Sequence, residues 1–195
     1  MKVLKDAMLV IAEHVKRVAE RLNEEQVERF VEEILKANKV FVYGAGRSGL
    51  VGKAFAMRLM HLNINVYVVG EIITPGLKEG DLLILISGSG ETTSVVNAAK
   101  IAKKAGAKVI LITTYPNSTA GKTADHVVVI EGRTKLKGEK DFMLRQIKGE
   151  HYSFTPLGTL FEATVMVFLD GVIAELMERL GKSEEDLRER HATIE

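Results

Sequence analysis

Leu4, Met8, Ile11, Val15, Val18 and Leu22 recur at spacings of four and three, which places one apolar seam along an N-terminal helix that needs something to pack on. A second amphipathic segment, roughly Glu24 to Ala37, leads into a short apolar run from Lys39 to Tyr43 whose β-branched and aromatic residues favour a buried strand. Similar runs follow at Val66 to Val69, Leu82 to Ile86, Val109 to Thr113 and Val127 to Ile130. They are almost continuously apolar rather than alternating, so both faces must be covered. Helical stretches at about Ser48 to Leu62 and Thr92 to Ala105 lie between them, and this alternation predicts a doubly wound sheet of five parallel strands.

Gly132 to Gly149 carries three glycines, many charges and little periodicity, and reads as an irregular surface excursion with no domain boundary. A long helix then runs from about Leu157 to Leu180, with Pro156 suited to its start and Gly181 to its end. It is apolar on most sides, from Leu160 and Phe161 through Val167 and Phe168 to Leu176 and Met177. One sheet face cannot bury that much surface, and the excess points to a helix shared with another subunit, the alternative being a central core helix.

Two strand-to-helix turns carry candidate chemistry. Gly44-Ala45-Gly46-Arg47-Ser48-Gly49 spells the G-x-G-x-x-G pattern after the first strand, where glycines let the backbone approach a ligand and free N–H groups attract an anion. Glu71, just past the second strand, sits where a ribose-binding acid belongs and keeps a nicotinamide dehydrogenase open as a reading. The third strand ends in Ser87-Gly88-Ser89-Gly90-Glu91-Thr92-Thr93-Ser94. A phosphate monoester carries close to two charges and three acceptor oxygens, which a helix N-terminus and converging hydroxyls satisfy without Lys or Arg. Ser87, Ser89 and Thr92 are the expected phosphate ligands; plain helix capping would need only one of them. The two turns meet at the carboxyl edge of a parallel sheet, where such folds bind ligands.

Glu162 interrupts the apolar stripe formed by Val165, Met166, Leu169 and Ile173 on the long helix. A carboxylate partly stripped of water suits removal of a proton from carbon next to a carbonyl; the alternatives are an Arg- or backbone-paired structural residue and a wet face. No two of His14, His61, His126, His151 and His191 have metal-ligand spacing on one helix, and no metal site is expected. His61 ends the helix that begins at the first glycine turn, where a lone His reads as a cap. His191 lies in the charged tail Arg188-Glu189-Arg190-His191, which frays unless it docks.

Composition narrows the classes. The 195 residues are 46% hydrophobic and 27% charged, enough to bury a full core, and contain no Cys, which excludes thiolate chemistry and favours a reducing cytoplasm. Lys plus Arg number 27 against 26 Asp plus Glu, with the signs interspersed, so neither nucleic acid nor a membrane surface is an expected partner. The first twenty residues mix charge too freely for a signal peptide, and no run approaches ~20 apolar residues.

These residues resemble the sugar isomerase (SIS) domain and, within it, the 6-phospho-3-hexuloisomerases. The likeness spans essentially the whole chain, 1–195, as a single domain. It rests on VYGAGRSGLVGKAFAMRLMHLN, ISGSGET, the Arg145 to Ile147 segment, TPLGTLFE and the terminal RHATIE, where family tails often end in Asn-Leu-Glu rather than Thr193-Ile194-Glu195. The resemblance implies a three-layer αβα sandwich with a five-stranded parallel sheet, flavodoxin-like, assembled as a homotetramer. It implies interconversion of D-arabino-hex-3-ulose 6-phosphate and D-fructose 6-phosphate in the ribulose monophosphate route, without cofactor. Gly46, Ser48, Ser87, Ser89 and Thr92 match the phosphate-binding positions, Arg47 would steady the phosphate or the enediolate, and Glu162 matches the base. His191, on a tail expected to reach a neighbouring active site, and His61 compete as the acid. The rival readings are an aldose–ketose isomerase of the arabinose 5-phosphate type and a non-catalytic sugar-phosphate sensor.

Overall fold

Alternate residues of five strands leave one parallel sheet on opposite sides, and helices cover each side. The computed structural model describes residues 1–132 and 158–191. The strands are β1 (Val40–Gly44), β2 (Val66–Val68), β3 (Leu82–Ile86), β4 (Lys108–Thr113) and β5 (His126–Val129), in the order β2-β1-β3-β4-β5, every neighbouring pair parallel. All five expected strands are present, within a residue of their expected ends. Val40, Val42, Leu82, Ile84 and Ile86 face one side, packed under α2 (Glu24–Lys36), α3 (Arg47–His61) and α6 (Thr159–Leu180). Phe41, Leu83, Leu85, Val109 and Leu111 face the other, under α4 (Thr93–Lys104) and α5 (Thr119–Thr123). This is the three-layer αβα sandwich expected from the uninterrupted apolar runs.

Local signals set most helix ends. The Asn23 side chain accepts a hydrogen bond from the Gln26 N–H at 3.0 Å, and Glu24 and Glu25 occupy the favourable first turn of α2. Two short helices lie outside the sequence expectations. The five residues of α5 are too few to show periodicity, although Ser118 caps them through the Gly121 N–H. α7 (Glu184–Arg188) begins with a capping box in which Ser183 and Asp186 satisfy each other's backbone N–H groups. Hydrogen bonds from the Ser183 N–H and hydroxyl, then Lys182, hold the Asp186 carboxyl down at about 2. That Ser-x-x-Asp spacing was legible in the chain.

Much of the apolar surplus of α6 is covered within the protomer. Leu160, Phe161, Val165, Phe168, Leu169, Val172, Ile173 and Leu176 are all buried within one protomer, because α1 (Lys2–Ala19) packs across the side that the sheet leaves open. Val167 of α6 stays exposed, and further exposed apolar residues lie on α1. Val18 is buried, but Leu4 and Met8 of the same seam, with Val3 and Leu9, are exposed. A groove of about 680 Å³ runs between α1, α2 and α6. Most of the glycine-rich excursion, the Arg145 to Ile147 segment, Thr155 to Leu157 and residues 192–195 lie outside the described residues.

Candidate active site

The sheet order reverses at β1, whose neighbours β2 and β3 lie on either side, and the ligand crevice of an open parallel sheet belongs at the carboxyl ends of the strands at such a reversal, here β1 and β3. Gly44 is in register with Ile86, so the turn after β1 and the turn after β3 leave the sheet side by side. The first turn is shaped by its glycines. A Cβ on Gly44 would lie 2.8–2.9 Å from the backbone of Ser48 and Gly49, so strand and helix approach too closely for any side chain there. Gly46 has φ 58° and stands at the N-cap of α3 without a capping side chain. The N–H groups of Arg47 and the buried Ser48 open α3 ahead of its first intrahelical bonds, which run from Gly49 and Leu50 to the Gly46 carbonyl, and are left for a ligand at the crevice.

The second turn supplies hydroxyls. Ser87 Oγ is buried, accepts the Gly90 N–H at 3.1 Å and lies 3.4 Å from Thr92 Oγ1. Thr92 is the N-cap residue of α4 yet makes no side-chain capping bond, so its hydroxyl is not consumed by the helix. Ser89 is exposed and, among the described residues, accepts the Glu91 N–H at 3.2 Å. Plain capping thus fails to account for this cluster. Glu91 turns away to accept the Thr119 N–H at 2.8 Å, and hydrogen bonds from the Thr119 side chain and backbone hold its carboxyl below the usual carboxylate range. Its charge is thereby directed to the start of α5 and away from the anion-attracting end of α4.

Glu162 reaches the same edge from α6. Its N–H bonds to the Gly158 carbonyl at 3.0 Å, and its carboxylate lies against Gly158, where a Cβ would come within 3.2 Å of Oε1. Arg47 Nε donates to Glu162 Oε2 at 2.5 Å, joining the first turn to the late helix. The β3 turn touches α6 as well: a Cβ on Gly88 would meet the Phe161 ring at 3.1 Å, one residue from Glu162. Arg47 and Glu162 therefore meet, while Gly46, Ser48, Ser87, Ser89 and Thr92 belong to the two turns that leave the sheet side by side. The Gly88–Phe161 contact had no signal in the sequence beyond the glycine itself.

His61 and His191 are brought together, but not here. Their rings stack with centroids 4.8 Å apart at an interplanar angle of 30°. His61 closes α3 while Arg47 opens it, and fourteen residues of helix rise put the two ends about 21 Å apart. The tail expected to fray is docked there: Leu187 is buried in the main core, and Arg190 Nη1 donates to Asn63 Oδ1 at 2.5 Å. Glu71, the candidate ribose-binding acid, is engaged by Lys53 Nζ at 2.6 Å.

A family model described as the SIS domain matches residues 33–138, which include both turns and His61 but neither Glu162 nor His191. The 3-hexulose-6-phosphate isomerase of Bacillus subtilis is 42% identical over 188 residues, covering 91% of this chain and 97% of the relative. That of Methanocaldococcus jannaschii is 40% identical over 169 residues, covering 87% and 84%. A solved structure from Methanococcus jannaschii, for which a molecular function of 3-hexulose-6-phosphate isomerase was inferred, superposes with a TM-score of 0.75 at 37% identity and covers 100% of both chains. With the two Gly/Ser turns placed at the reversal of a parallel five-stranded sheet, and relatives of this identity along nearly its full length, the chain belongs to the SIS domain family.

Proposed function

We infer that the chain is a 3-hexulose-6-phosphate isomerase, interconverting D-arabino-hex-3-ulose 6-phosphate and D-fructose 6-phosphate through a cis-enediolate. The relatives of that name support the reaction, and the meeting of Glu162 with Arg47 beside the two hydroxyl-rich turns is the observation that carries the assignment of residues. Ser48, Ser87, Ser89, Thr92 and the N-termini of α3 and α4 bind the phosphate, which sets the sugar carbons under α6. Glu162 takes the proton from C2 of the 3-ketose; the C–H electron pair becomes the enediolate, and the proton is returned to C3 on the same face. An imidazole passes the remaining proton between O2 and O3.

The protomer's own His61 and His191 stand at the far end of α3, so the imidazole comes from another copy, and the active assembly is a homo-oligomer, a tetramer by resemblance. The exposed apolar positions on α1 support association, since a patch of this kind marks an interaction surface. Among the described residues no helix is long and apolar enough to cross a membrane. A phosphorylated sugar does not pass a membrane unaided, which supports a cytoplasmic reaction, and the ribulose monophosphate route is the setting that the resemblance implies.

Incubation of D-fructose 6-phosphate with the protein in deuterated water tests the reading. Deuterium is expected at C3. Label at C1 would mean an aldose–ketose isomerase, and binding without exchange would mean a sensor. Gly88→Ala probes how the β3 turn positions the base: the added methyl presses on Phe161 and is expected to lower kcat by about 10²-fold through displacement of Glu162. An unchanged kcat in a folded variant would detach Phe161 from that role.

A further inference from the structure

The two members of the Arg47–Glu162 pair are unequally held. The Glu162 side chain is 14% exposed, set against Gly158 on a long packed helix, whereas that of Arg47 is 66% exposed. Arg47 touches Glu162 through Nε, and its two Nη groups have no partner among the described residues. One carboxylate oxygen, Oε2, is thus held on a guanidinium N–H, which turns that edge of the carboxylate toward the first residue of α3. The guanidinium also projects from the first residue of α3, the turn whose backbone N–H groups and Ser48 face the crevice. A dianion bound there offers three oxygens to a planar fork of donors, a better match than a single carboxylate oxygen.

We propose that Arg47 is a substrate-displaced restraint on the base: the phosphate dianion draws the guanidinium off Glu162 and thereby frees the carboxylate to turn its Oε2 edge to the sugar carbon. This rests on the isomerase reading and adds to it a reason why the site acts on phosphorylated sugars and not on neutral ones. The phosphate is then more than an anchor, because part of its binding energy is spent on a change at the reacting centre. Arg47 is a positioning residue for Glu162 in the empty site and a phosphate ligand in the filled one.

The experiment separates the phosphate from the sugar. Deuterium exchange at C3 of unphosphorylated D-fructose is followed by NMR with and without phosphite dianion. In the wild type phosphite is expected to raise the rate about tenfold or more. In Arg47→Ala the exchange of fructose alone is expected to rise by about the same factor, and phosphite to add less than about twofold, while kcat/KM for fructose 6-phosphate falls. A merely structural arginine would not make the neutral sugar react faster on removal. The proposal is overturned if phosphite fails to activate the wild type, or if it still activates Arg47→Ala in full. A crystal structure with inorganic phosphate at Ser48 and Ser87 gives an independent readout: Arg47 is expected on the phosphate and beyond about 3.5 Å from Glu162. Retention of the pair beside bound phosphate would refute the displacement. Failure of the isomerase reading itself looks different, as absence of C3 exchange in fructose 6-phosphate.

Discussion

Glu162→Gln is expected to lower the rate of C3–H exchange of D-fructose 6-phosphate by about 10²- to 10⁴-fold, the range that a positioned general base contributes. The substitution keeps size and shape, and the amide oxygen still accepts from Arg47 Nε, so the contact that ties the first turn to α6 survives. What disappears is the capacity to hold a proton abstracted from carbon. KM is expected to stay within about threefold, because the phosphate is gripped by Ser48, Ser87, Thr92 and two helix N-termini rather than by Glu162. Parallel loss in kcat and kcat/KM assigns Glu162 to the transition state. Near-normal turnover would remove it from the mechanism and leave the crevice as a binding site only.

The second large effect concerns the imidazoles. A protomer carrying His61→Ala and His191→Ala is expected to lose about 10²-fold or more in kcat, and Glu162→Gln loses activity for a different reason. If base and imidazole of one site come from two copies, mixing the two inactive proteins with exchange of subunits restores sites in which an intact Glu162 meets intact histidines from its neighbour. Random mixing predicts recovery of about a quarter of wild-type activity for a site shared by two copies. His61 is buried, so its removal also threatens folding; truncation after Glu189, which removes His191 and leaves the His61 ring in place, checks the result with the α3 core undisturbed. Hetero-oligomers verified by native mass spectrometry that show no recovery would mean that neither histidine is supplied across a subunit boundary.

Much of the fold was legible because its signals are local. Leu82-Leu83-Ile84-Leu85-Ile86 is buried throughout, as a continuous apolar run between two helical layers must be, and the same reading found the other four strands. Gly46 announced a backbone with positive φ, and the density of hydroxyls from Ser87 to Thr92 announced a turn with more donors and acceptors than capping consumes. The long helix was placed correctly, but not the element that packs on it. Its surplus of apolar residues was read as surface for another subunit; within the protomer α1 folds back over much of it, leaving Val167 and its own Leu4 and Met8 exposed. Periodicity states that a face is apolar and is silent on which element will cover it.

The site divides along the same line. Residue type and spacing along the chain selected Ser87, Ser89, Thr92 and Glu162, and the resemblance added Ser48, since a hydroxyl cluster and a carboxylate in an apolar stripe are each properties of a few consecutive residues. That Arg47 lies on Glu162, 115 positions away, that Gly88 abuts Phe161, and that His61 and His191 gather about 21 Å off at the other end of α3 were settled only when the helices packed on the sheet. Those contacts depend on the angle and depth at which α3 and α6 cross the strands, and these are fixed by the combined shape of all the buried side chains between them.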